Sequence, residues 1–491
     1  MPHSKGSSMA RNTWFSINFQ YSTDAKPWAP FQKRINGRWA SDTRLSFINY
    51  SDVQRSLEAA RHFGVRFQSS EVSHTFKGKV HVFKFQYRDP WKWLLDIVTD
   101  PTLNNSIMWY PVEKYLHQNG CITRIYDKLN TGTHWWKIQD SLPQEVGVPH
   151  CFLPLHLWLD KSNVAKTVKK HPIILCPGFL HSVIRNASGN GGGVLIGYMN
   201  IVGDPSETVE NEDDSASSVE IAKFRREGVK ANYPCPRCLI HKSLLHNLSI
   251  PLVMQTQQDM KQIFTKAQKL KSSAAEKVLR DAGLYLVENA FWSIQNSDPY
   301  LAYSYDMLHA FDSGEWDHIL DEPENKQLSA NFREVPRWCF LKHFNAVTSI
   351  DFADGNSYQD ILKCIIPCLT DILLSNSPVI HCFRLLGILR TIAGLCPVSK
   401  EHIKYFEECL PKYEELCTRL SNEYNKNYNY PKHHFLMHLP WDLRTKASTD
   451  NYTTRAGEGF QQEVQQAYDQ TNFRNTEPQI VRIDENQEAI A

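Results

Sequence analysis

Three apolar segments follow one another closely: "CFLPLHLWLDKS" (Cys151–Ser162), "HPIILCPGFL" (His171–Leu180) and "GGVLIGYMNIVG" (Gly192–Gly203). The connections between them are short, and the second contains the flexible "ASGNGGG". Turn signals separate the three segments, which suits hairpins rather than crossover helices. The spacing predicts an antiparallel strand meander joined by hairpins.

From about Ser218 onward the periodicity changes. "KQIFTKAQKLKSSAAEKVLRDAGLYLVENAFWSI", "YQDILKCIIPCLTDILL", "CFRLLGILRTIAGL" and "HIKYFEECLPKYEELCTRLSNEY" carry apolar residues three and four apart, as amphipathic helices do. Ahead of the meander, "DPWKWLLDIVTDP" (Asp89–Pro101) predicts a helix opened by Asp89 with Pro90 in its first turn. The chain is thus an α/β protein divided as 1–45 polar tail or linker, 46–150 mixed α/β region with helices, 151–233 meander, 234–430 Cys-x-x-Cys element and helical stretch, and 431–491 C-terminal helix and tail. The acidic run Glu207–Asp214 reads as a solvated loop, and the polar tail after Gln479 as a frayed end.

The balance of 42% hydrophobic and 22% charged residues over 491 suits a globular protein of roughly three domains. Lys and Arg number 54 against 53 Asp and Glu, a net charge of +1, which excludes a uniformly basic DNA-coating surface but allows a local basic groove. No unbroken apolar run has the length of a transmembrane helix, and the first residues lack a signal-peptide core, so no membrane partner is expected. Twelve scattered cysteines fit reduced thiols in the cytosol or nucleus.

Four constellations could carry chemistry. Asp160 ends the first apolar segment, where a carboxylate on a rigid strand can hold a hard cation such as Mg²⁺ or simply cap a turn. In "YPCPRCLIH", Cys235 and Cys238 have the spacing of two zinc thiolates. His241, His246 or a distant residue such as Cys151 would complete a site; inert thiols or a redox pair are the other uses. In "SYDMLHAFDSGEWDHIL", Asp306 and His309 share a helical face, as metal ligands or as a capped helix start. Finally, "YPKHHFLMHLP" sets His434 and His438 one helical turn apart, and Glu458 opens a polar helix where a carboxylate also suits the dipole.

Read in order, "PWAPF", "RDPWKWLLDIVTDP", "RIYDKLNTGTHWWKIQDSLP", "LHLWLDKSN", "GGGVLIGYMNIV", "YPCPRCLIH", "YDMLHAFDSGEW", "VPRWCFLKHF" and "TDNYTTRAGEGFQQEVQQAYDQTNF" resemble the Plavaka-type transposases of the Kyakuja–Dileera–Zisupton (KDZ) group of fungal DNA transposons. The resemblance implies an RNase H-like catalytic core with a long, mainly α-helical insertion. It implies DNA cleavage and strand transfer through three carboxylates and Mg²⁺ or Mn²⁺, a nuclear location, transposon-end DNA as partner, and assembly as homo-oligomers. Asp160 matches the family's first acid and Glu458 its last; Asp306 matches a further motif, and zinc is expected at Cys235, Cys238 and His241.

Two departures qualify the likeness. The family closes a strand on its second acid ahead of Cys-Pro-x-Cys, yet only "GVKANY" (Gly228–Tyr233) separates Glu227 from Pro234, too little for a helix, a strand and a turn. The family's Asn-Glu-Lys-Leu-His becomes Gly457, Glu458, Gly459, Phe460 and Gln461, and two glycines weaken a helix start. The expectation is therefore a degenerate copy with impaired catalysis. The alternative is a non-catalytic, zinc-stabilised derivative that binds DNA or protein.

Overall fold

The computed structural model describes residues 50–62, 64–76, 79–159, 162–165, 168–186, 192–199, 232–285, 288–294, 298–312, 325–347 and 355–490. The expected N-terminal tail, the acidic run Glu207–Asp214 and most of the junction between Glu227 and Pro234 lie outside the described residues. The chain divides into two compact units, one of residues 1–89, 163–169 and 461–491, the other of residues 90–162 and 170–460.

In the first unit, helix α1 (Tyr50–Arg61) precedes strands β1 (Phe67–Phe76) and β2 (Lys79–Arg88), which pair antiparallel from Phe67↔Arg88 to Phe76↔Lys79. The tail read as frayed is instead a helix, Thr476–Ile490. Three features hold it. Ile480 and Val481 are buried, and the buried Arg88 guanidinium reaches Asp484 at 2.9 Å and Glu488 at 3.0 Å. Phe67 N–H also donates to Glu485 at 2.9 Å. A polar sequence hides this because its anchors lie some four hundred residues away in the chain.

The second unit opens with helix α2 (Pro90–Thr99), close to its predicted bounds. Strands β3 (Lys114–Gln118) and β4 (Cys121–Tyr126) form a hairpin closed by Asn119 and Gly120, both at positive φ, the pattern of a tight Asn-Gly turn. Helix α3 (Thr133–Ser141) follows. The meander is as expected: β5 (Leu155–Leu159) pairs antiparallel with β6 (Val168–Pro177), and β6 with β7 (Val194–Met199), so β6 lies in the middle. Ile174 and Cys176 on β6 are fully buried, as the apolar pattern requires of a central strand.

The helical stretch comprises α4 (Gln257–Gln268), α5 (Ser272–Asp281), α6 (Asn325–Glu334), α7 (Gly355–Leu369), α8 (Pro378–Ala393), α9 (Lys400–Tyr424), α10 (Pro431–Phe435), α11 (Leu439–Lys446) and α12 (Arg455–Asp469). Its largest core is built on α7, α8 and α9. On α9 the buried stripe Ile403, Phe406, Leu410, Tyr413, Cys417 and Leu420 repeats every three or four residues. Each such side chain contributes about 1.5–3 kcal/mol of transfer free energy. Ser399 caps α9 by accepting from His402 N–H at 3.1 Å, while His402 Nδ1 accepts from Ser399 N–H at 3.3 Å. All twelve cysteines are free. Among the described residues, no helix is long and apolar enough to cross a membrane.

Candidate metal centre and acidic cluster

The Cys-x-x-Cys element is short of regular structure, so its backbone is held by neighbours. Cys238 bridges Met254; Leu239 N–H donates to Val253 at 2.9 Å and Gln255 N–H to Arg237 at 2.8 Å. The Gln255 side-chain amide donates to the carbonyls of Cys235 and Cys238 at 3.2 and 3.0 Å. Both thiols consequently point to one side. Opposite them, Pro431 starts α10, which tightens into a 3-10 turn at Leu436–His438 and presents His434 and His438 on one face.

Cys238 Sγ lies 3.1 Å from His434 Nε2, and Cys235 Sγ 3.3 Å from His438 Nε2. The four ligand atoms all fall within 4.8 Å of one another, and all four residues are buried. A tetrahedral zinc with ordinary Zn–S and Zn–N bonds separates sulfur from nitrogen by about 3.5 Å, so the donor set fits that ion. Burial alone would raise the Cys235 thiol, but the Cys238 hydrogen bond and His438 outweigh it and hold it well below the usual range. Burial lowers His438, favouring the neutral ring. Thiolate and neutral imidazole are the forms a metal needs.

His241 is not in this group. It stands at the start of a 3-10 turn, with Nδ1 2.8 Å from Ser243 Oγ and accepting from Ser243 N–H at 3.3 Å. His246 pairs with Asn429. The i, i+4 spacing of His434 and His438 was the available signal. Nothing in the chain order links them to cysteines about two hundred residues earlier.

Next to the centre lies a buried ion network. Arg237 Nη1 donates to Asp442 Oδ2 at 2.6 Å, and Asp442 also accepts from Tyr305 N–H at 2.8 Å. Lys446 Nζ sits 3.3 Å from Asp442 and donates to the carbonyls of Ala302 and Tyr303. Burial pushes the Lys446 ammonium down to about 8 despite Asp442. Arg237, one of the two residues between the cysteines, is thereby tied to α11 and through Asp442 to Tyr305, one residue before Asp306.

Asp306 accepts from Leu308 N–H at 3.2 Å and His309 N–H at 3.3 Å, and its carboxylate pairs with His309 Nδ1. The next residues, Leu308–Asp312, form a π-helical turn, a geometry frequent at functional sites. That turn aims His309 Nε2 at Glu458 Oε1, 3.4 Å away. Burial disfavours the charged His309 ring, but the bond to Asp306 and the charges of Asp306 and Glu458 outweigh it and raise its pKa. Asp312, at the end of the turn, is buried between Arg390 and Arg455, at 3.0 and 3.1 Å. The structure thus brings Asp306 and Glu458 together through an imidazole. Asp160, together with Glu315, Asp317 and His318, lies outside the described residues.

The start of α12 lies against the meander. Phe460 and Ala456 pack on Ile174, Cys176 and Trp158, with the Phe460 and Trp158 rings 5.8 Å apart. A Cβ on Gly457 would come within 2.8 Å of the Trp158 ring. Gly457 weakens the helix start intrinsically but permits this close approach. Glu458 is therefore carried on a helix packed against the strand that Asp160 follows.

Residues 47–223, which include the meander and Asp160, match the family described as Plavaka transposase. No curated protein matches the chain.

Proposed function

We propose, from the Plavaka transposase match over residues 47–223, that this chain derives from a transposase with an RNase H-like core, and that its phosphoryl-transfer centre is built where α12 meets the meander. The observation carrying the proposal is the packing of α12 on β5 and β6 through Gly457 and Phe460. Such packing sets a carboxylate-bearing helix turn beside the strand leading to Asp160. In this reading Asp160 and Glu458 hold Mg²⁺ or Mn²⁺, and Asp306 positions Glu458 through His309. Bound metal would activate the attacking oxygen and stabilise the leaving one at a DNA phosphate. Zinc at Cys235, Cys238, His434 and His438 would be structural, holding α10 and the turn after it to the Cys-x-x-Cys element. DNA is the partner, and nuclear location and homo-oligomeric assembly follow from that role.

The test is Mn²⁺-dependent nicking of supercoiled plasmid by the purified chain. Asp160→Ala and Glu458→Ala should each abolish it, and Asp306→Asn should reduce it by about 10- to 100-fold. Nicking that persists in Asp160→Ala would end the catalytic reading.

The short junction before Pro234 favours a second reading, a non-catalytic derivative that retains the zinc-stabilised scaffold. It predicts salt-sensitive DNA binding without metal-dependent nicking.

A further inference from the structure

The segment between α6 and α7 contains a turn that its own sequence disfavours. Leu341 N–H donates to the Trp338 carbonyl at 3.3 Å, which makes Trp338–Leu341 a tight turn. Phe340, at its third position, has φ +62°, a conformation suited to glycine or asparagine, and its side chain is fully exposed. Trp338 is 66% exposed. Local strain of this kind persists only where surrounding structure enforces it. The enforcement is visible: Lys342 N–H donates to Asp360 at 3.0 Å, Lys342 Nζ to Ser357 Oγ at 2.7 Å, and the His343 ring meets the Arg333 carbonyl at 3.2 Å.

The surroundings are cationic. Arg333, Arg337 and Lys342 are exposed around the turn. Asp360 on the adjoining α7 is neutralised by Lys363 Nζ at 2.7 Å, and among the described residues around the turn Glu334 is the exposed acid. The turn is also connected to the acidic cluster. Ser357, which holds Lys342, follows Asn356, whose side-chain carbonyl accepts from Arg455 at 2.6 Å, and Arg455 is one helical turn from Glu458.

We infer that Trp338 and Phe340 form a stacking platform for unpaired nucleotides of the DNA beside the proposed cleavage centre. Planar rings stack on every base, and the cations follow the phosphate backbone, so the recognised chemistry is single-stranded DNA rather than a particular sequence. The hydrogen bonds of Trp338–Leu341 and Lys342 fix the backbone that carries both rings, which lowers the ordering cost of binding. This inference rests on the DNA-binding reading above.

The test uses the whole chain and a short duplex with an unpaired segment containing 2-aminopurine, beside the fully paired duplex. Wild type should bind the unpaired probe more tightly than the paired one and change its fluorescence by stacking. Phe340→Gly removes the ring and relieves the positive φ, so its melting temperature should be unchanged or higher. Its affinity for the unpaired probe should fall about tenfold, with paired-duplex affinity nearly unchanged. Trp338→Ala should act in the same direction, and Phe340→Tyr should retain binding. If Phe340→Gly and Trp338→Ala bind the unpaired probe like wild type, the platform is refuted while the DNA reading stands. A wild type that binds neither probe refutes both. Loss of self-association in Phe340→Gly with no change in DNA binding would show that the turn docks a second copy instead.

Discussion

His434 and His438 illustrate what a single side chain contributes here. Each ring meets one thiol, so neither can be lost without opening a buried four-residue group. Cys235→Ser, His434→Ala and His438→Ala are expected to lose the one equivalent of zinc expected in wild type and to lower stability by several kcal/mol, since metal binding free energy becomes folding free energy. His241→Ala should keep its zinc, because that ring is occupied by Ser243. Metal analysis of the four purified variants decides the assignment; zinc lost from His241→Ala alone would reverse it. His134 supplies a pH effect. Burial holds its imidazole down to about 4, with Lys446 and Lys137 adding to that. The unfolded ring takes a proton near 6.5, so its contribution is fully present above that pH and is lost as pH falls through about 4. Wild type should lose about 2 kcal/mol more than His134→Gln between pH 7 and 4.5, measured by urea unfolding.

At the scale of elements, the joint between α12 and the meander is the sharpest case. Gly457 against Trp158 admits no side chain without displacing an aromatic ring. Gly457→Ala improves helix propensity by about 1 kcal/mol yet overpacks the interface, and the second effect should win by roughly 1–2 kcal/mol. Thermal unfolding measures the sign: a stabilised Gly457→Ala would mean that the helix is not seated on the strand. The glycines at the last motif look like decay in sequence because helix propensity is a local quantity. Packing gives one of them a use. The helix Thr476–Ile490 teaches the same lesson, since its polar sequence is held by Arg88 and by the burial of Ile480 and Val481.

Over the whole molecule, chemistry is assembled from segments remote in sequence. The buried chain from Arg237 through Asp442 to Tyr305 runs from the Cys/His cluster to the residue preceding Asp306. Breaking one member of such a buried pair leaves an uncompensated charge and is costly, about 3–5 kcal/mol. The network therefore holds the acidic cluster only while α10 and α11 stay docked on the Cys-x-x-Cys element.

The strand meander, the helical stretch and the Cys-x-x-Cys pair are legible residue by residue, because hydrophobic period, turn residues and ligand spacing act over a few neighbouring positions. The sequence also carried the transposase likeness, which residues 47–223 bear out. That His434 and His438, rather than His241, gather with the two cysteines is visible only in the folded chain. The fold alone joined Asp306 to Glu458 through His309, and required a glycine at position 457. These are contacts between elements far apart in the chain, created when apolar faces are buried against each other, and no local pattern encodes which faces will meet.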